Sequence, residues 1–144
     1  MPVAYYIDPE RKLVLVKGHG TLCFDDLLDF RAKLVNDPLF HSGMKELADF
    51  RPVDDYDFTN EGFLRFLDQE KKYIDLLRDY LIAIVTDNNL HYGFARMYMA
   101  KMNELTPNVQ VFRNVEVAKA WLMEGGKQTP TSTNSNQTPS EKQR

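Results

Sequence analysis

Five short runs of β-type residues, the last four separated by amphipathic helical stretches, set the tightest limit on what this chain can fold into. Side chains alternate across a strand but return about every 3.6 residues on a helix, so a pattern that switches between these periods specifies an α/β class. The runs are Val3 to Ile7, Lys12 to Lys17, Glu46 to Phe50, Tyr80 to Thr86 and Val109 to Phe112. They predict a single mixed five-stranded sheet with about four helices. The short Asp8-Pro9-Glu10-Arg11 connection makes the first two strands an antiparallel hairpin. Tyr80 to Thr86 is almost wholly apolar and is the expected centre of the sheet.

The helical stretches carry their own start and stop signals. Gly18-His19-Gly20 ends the second strand, and Cys23 takes the cap position of a helix with Asp26 completing a capping box. That helix is expected to bury Phe24, Leu27, Leu28, Leu34 and Val35 before Asn36-Asp37-Pro38 stops it. A polar, acidic loop through Asp57 leads to a second helix near Thr59, with Phe63, Phe66, Leu67, Ile74 and Leu77 on one face. A third helix covers about Leu90 to Leu105, and Asn114 caps a fourth. Beyond Gly125-Gly126 no apolar residue remains, so nothing there can offset chain entropy by burial. The expected organisation is one domain at 1–124 and a disordered polar tail at 125–144.

Composition narrows the function classes. The chain has 144 residues and a net charge of −3. Residues 125–144 hold Lys127, Lys142 and Arg144 against Glu141, so the body is more acidic than the total. An acidic body is a poor match for a phosphate backbone, and nucleic-acid binding is not expected. No apolar run approaches the roughly 20 residues of a membrane span, and no secretory signal is evident, which predicts a cytoplasmic protein. The lone Cys23 has no internal disulfide partner.

Chemistry-bearing residues gather where the carboxyl ends of the strands should lie, the usual ligand side of an open α/β sheet. They are His19, Asp49, Arg51, Asp87, His91 and Arg113, joined by Tyr92 and Arg96. The plainer role for such charges is to cap helices and pair at the rim. The three histidines lack metal-site spacing, so no metal is expected. Gly18-His19-Gly20 lacks the third glycine of a dinucleotide loop, and Asp25 and Asp26 would repel a pyrophosphate; no cofactor is expected. The body contains one serine, Ser42, outside any nucleophile elbow. No catalytic residue is assigned. The helix over 90–105 spreads Tyr92, Phe94, Met97, Tyr98, Met99 and Met102 over more than one face, so it is expected to meet a partner or an apolar ligand groove as well as the core.

Gly18-His19-Gly20-Thr21, Leu47-Ala48-Asp49-Phe50-Arg51, Tyr92-Gly93-Phe94-Ala95-Arg96-Met97-Tyr98, and Val111-Phe112-Arg113-Asn114 through Ala120-Trp121-Leu122 follow one another in an order that resembles the SpoIIAA-like family. This is the bacterial STAS/SEC14-type group, and the resemblance spans about residues 3–123. It implies a small sheet packed on one side by helices and a regulatory or ligand-sensing role. In the antagonists of this class a serine at the start of the helix after the third strand is phosphorylated. Here Thr59 is the Ser or Thr nearest that place. The SEC14-type relatives enclose lipids, but a body of this size is expected to need most of its apolar side chains for its own core, leaving at most a shallow groove.

The expectation is a non-enzymatic binding or regulatory module that self-associates as a homodimer or recognises a protein partner or small ligand through Asp49, Arg51, Tyr92, Arg96, Met99 and Arg113, with Thr59 a phosphorylation candidate. Two alternatives stand beside it. One is a small acid–base enzyme using His19 or His91 with Asp49 or Asp87; the other is a carrier of a small apolar or lipid-like ligand.

Overall fold

The structure is a computed structural model and describes residues 2–105 and 108–126. Apart from its first two glycines, the expected tail at 125–144 lies outside the described residues. Strands β1 (Val3–Asp8), β2 (Leu13–Gly18), β3 (Gly20–Cys23), β4 (Lys45–Asp49), β5 (Val53–Asp57), β6 (Leu81–Val85) and β7 (Val109–Phe112) alternate with helices α1 (Phe24–Val35), α2 (Asn60–Lys72), α3 (Ile74–Leu77), α4 (Asn89–Asn103) and α5 (Val115–Met123). The main sheet runs β1-β2-β4-β6-β7. β1 pairs antiparallel with β2, and every other neighbouring pair in that sheet is parallel.

The mixed five-stranded sheet opened by a hairpin is as expected, with two corrections. β6 is interior, but β4 takes the middle place. The segments read as a turn and an acidic loop form a second sheet, β3 parallel to β5. Asp54, Asp55 and Asp57 stay exposed while Val53 is buried, so main-chain pairing prevails where side-chain pattern gives no strand signal.

Alternation along the interior strands feeds two cores. Ala48, Ile82, Ile84, Val109 and Val111 face Phe30 and Leu34 of α1, Leu67 of α2 and Met102 of α4. Leu47, Ala83 and Val85 point the other way and meet Ala118 and Leu122 of α5. The sheet is therefore covered on both faces, not on one as the family resemblance implied. α5 ends in a Schellman motif: Gly126 N–H donates to Trp121 O and Gly125 N–H to Leu122 O, with Gly125 at φ +76°.

Cys23 caps α1 as expected. Asp26 Oδ2 accepts from the Cys23 main-chain N–H at 2.9 Å and from its thiol at 3.2 Å. Serine or threonine there offers a stronger capping oxygen, so Cys23→Ser or Cys23→Thr is expected to be neutral or to add up to about 1 kcal/mol. A clear fall in melting temperature would contradict this capping role.

Candidate functional site

α1, α2 and α4 do not close completely on the sheet. Between them lies a cavity of about 100 Å³. Its walls are aromatic because four chain segments each deliver a ring to the same place. Phe24 opens α1, Phe58 follows β5, Phe63 and Phe66 lie on α2, and Phe94 lies on α4. The Phe24 and Phe58 rings stack at 3.9 Å, and Phe94 meets Phe58 edge-on at 5.5 Å. α2 can settle this close because Gly62 faces the Phe24 ring; a Cβ there would lie 2.9 Å from Phe24 Cδ2. Thr59 caps α2, its hydroxyl accepting from Gly62 N–H at 3.0 Å, and also lines the cavity.

The floor is charged. Arg31 of α1 reaches the sheet with only 3% of its side chain exposed and donates from Nη1 to Glu46 Oε1 at 2.9 Å and from Nε to Glu70 Oε1 at 3.1 Å. Glu46 is on β4 and Glu70 on α2, and they are 3% and 0% exposed. Two phenols complete the network. Tyr80 donates to Glu46 Oε1 at 2.7 Å and Tyr98 to Glu70 Oε2 at 2.9 Å. Burial opposes the Arg31 charge, but Glu46 and then Glu70 outweigh it and push its pKa well above the usual guanidinium value. Burial raises the Glu70 carboxyl, against the opposing pull of Arg31 and the Tyr98 hydroxyl. Both phenols are raised, by burial first and then by Glu46 beside Tyr80 and Glu70 beside Tyr98.

This cluster escaped the sequence reading, although a signal was present. Phe24, Leu27, Arg31 and Leu34 follow one helical stripe, and Phe63, Phe66, Glu70 and Ile74 follow another. A charge in an apolar stripe is the mark of a buried ion. Glu46 shares the side of β4 used by Ala48, between Val14 and Ile82 in register. The cavity lies against α4, the helix where a groove was expected. Its rings pack on one another around the space instead of filling it.

The rim residues fall into separate groups. Asp49 and Arg51 form a two-pronged pair, with Arg51 Nη2 2.8 Å and Nε 2.9 Å from the Asp49 oxygens. The hydrogen bond from Arg51 holds the Asp49 carboxyl below its ordinary value. Arg113 lies over the Tyr92 ring at 4.2 Å, with Arg96 at 5.9 Å from the same ring, and Arg113 Nη1 donates to Asn89 Oδ1. Met99 packs against the main core. His91 is buried against the Tyr56 ring, while His19 and Asp87 are exposed. Among the described residues no hydrogen bond or ion pair joins either histidine to Asp49 or Asp87, and no group of three or more His, Cys, Asp or Glu could hold a metal ion. No described helix is long and apolar enough to cross a membrane.

No family model matches this sequence. No curated protein matches it either. Among solved structures, an uncharacterized DUF3478-family protein with a SpoIIAA-like fold from Shewanella loihica PV-4 is similar, at a TM-score of 0.54 and 17% sequence identity, over 83% of this chain and 93% of that one. The fold is SpoIIAA-like, with a mixed five-stranded sheet and helices on both faces.

Proposed function

We propose that this chain is a non-enzymatic, ligand-sensing module that holds a small, largely apolar molecule in the cavity between the sheet and α1, α2 and α4. The observation that carries this reading is the ring-walled space with a buried polar floor. Ligand sites are typically concave, mostly apolar and furnished with a few placed polar groups. A buried ion cluster stabilises a fold weakly at best, so its position at a cavity favours recognition over scaffolding. The non-catalytic reading is supported by the floor charges being held by one another and by neither histidine lining the space.

A regulatory output has a physical route. α4 lines the cavity with Phe94, Ala95 and Tyr98, while Tyr92 and Arg96 on the same helix stand with Arg113. Occupancy that shifts α4 would alter the surface a protein partner meets. Titration with toluene, followed by methyl NMR, is expected to give saturable shifts at Ala48, Ile82 and Ile84, and Ala95→Leu is expected to abolish them by filling the space. Unperturbed methyls at millimolar toluene would refute the cavity as a binding site.

A further inference from the structure

Resting on that reading of the cavity, we infer that Arg31 and Glu46 select a neutral head group that both accepts and donates hydrogen bonds, such as a primary amide on a single ring, and reject carboxylates and ammonium ions. Of the Arg31 nitrogens, Nε and Nη1 are used; of the Glu46 oxygens, Oε1 accepts from both Arg31 and Tyr80. Arg31 Nη2 and Glu46 Oε2 take no part in the Arg31–Glu46, Arg31–Glu70 and Tyr80–Glu46 bonds, although the guanidinium also interacts with the Tyr80 hydroxyl. Both side chains are nine-tenths or more buried and both line the cavity. Because the 2.9 Å bond joins the two groups, the unused donor and acceptor stand within reach of one small head group. Glu70 is different: both its oxygens are taken, by Arg31 and Tyr98, so it holds the arginine from behind.

The chemistry of the ligand follows from that pair. An amide carbonyl accepts from Nη2 while its N–H donates to Oε2, leaving neither buried group unsatisfied. A carboxylate would meet a like charge at Glu46 and an ammonium would meet one at Arg31, in a setting where water screens little. Size fixes the rest, since a cavity of about 100 Å³ suits one ring and not a long acyl chain.

Four probes of matched size separate this inference from the reading beneath it: toluene, benzamide, benzoate and benzylammonium, each titrated into the full chain and its Glu46→Gln variant. Benzamide is expected to bind at least about tenfold more tightly than either ion, about 1.4 kcal/mol. In Glu46→Gln the penalty against benzoate is expected to shrink. Toluene binding with no discrimination among the heads, or a preference for benzoate in the unaltered protein, would overturn the head-group selection and leave the cavity intact as a site. No binding by any of the four would overturn both. The methyl spectrum of Glu46→Gln reports whether the variant is folded, and if it is not, the head-group ranking in the unaltered protein decides.

Discussion

Replacing Arg31 with methionine is expected to remove about 3–5 kcal/mol of folding stability at neutral pH, a large share of the 5–15 kcal/mol typical of a domain. The side chain that replaces it fits an apolar stripe well, so the loss is electrostatic. Glu46 and Glu70 would remain buried without their cation. The deficit is expected to shrink on acidification. Burial already raises Glu70 and Arg31 pulls it back, so removing Arg31 raises it further. For a carboxyl whose folded pKa lies above its unfolded one, stability is fully present below the unfolded value and is lost as pH rises through the folded value. Urea denaturation at pH 5 and pH 8 measures both effects; an equal deficit at the two values would rule out unpaired carboxylates as its cause.

A control distinguishes a broken network from a missing one. Arg31→Met combined with Glu46→Leu, Glu70→Leu, Tyr80→Phe and Tyr98→Phe removes every member of the polar cluster and is expected to recover most of the loss, because well-packed apolar residues can replace buried ions at little cost. Full recovery would mean that this fold does not need the cluster, which leaves recognition at the cavity as its physical rationale.

The parts of the protein legible in sequence are those governed by local period. The order of the main-sheet strands, the caps at Cys23 and Asn114, and the hairpin all depend on neighbours within a few residues. What stayed hidden depends on distant partners. Arg31 and Glu70 sit in apolar helical stripes that mark them for burial, but which charges they pair with is decided across 15 to 39 positions of chain. β5 was hidden for a related reason, since Val-Asp-Asp-Tyr-Asp becomes a strand by pairing with β3 and not by its own pattern. His91 reads as a rim group in sequence, yet packing against Tyr56 buries it. Conversely, the excess of large side chains on α4 was visible, and Phe94, Met97 and Tyr98 line the cavity. The pattern exposed a surplus of apolar surface but could not say that the surplus encloses a space.

Phe24→Ala is expected to cost about 3 kcal/mol, at the low end for a buried phenylalanine because one side of the ring already borders the cavity. The ring contacts Phe58, Phe63 and Phe66 and supports the first turn of α2 at Gly62. This shared contact predicts strong non-additivity. In the unaltered protein Gly62→Ala sets a methyl 2.9 Å from Phe24 Cδ2, so it is expected to destabilise despite alanine's higher helix propensity. With Phe24 truncated the ring contact is removed while close approaches to Thr59 Oγ1 at 3.1 Å and to the remaining Cβ at position 24 at 3.2 Å persist, so the same substitution is expected to destabilise less than in the unaltered protein. A double-mutant cycle in urea measures the coupling between the two positions. Additive effects would mean that Phe24 does not set the approach of α2, and the wall of the cavity would then need another support.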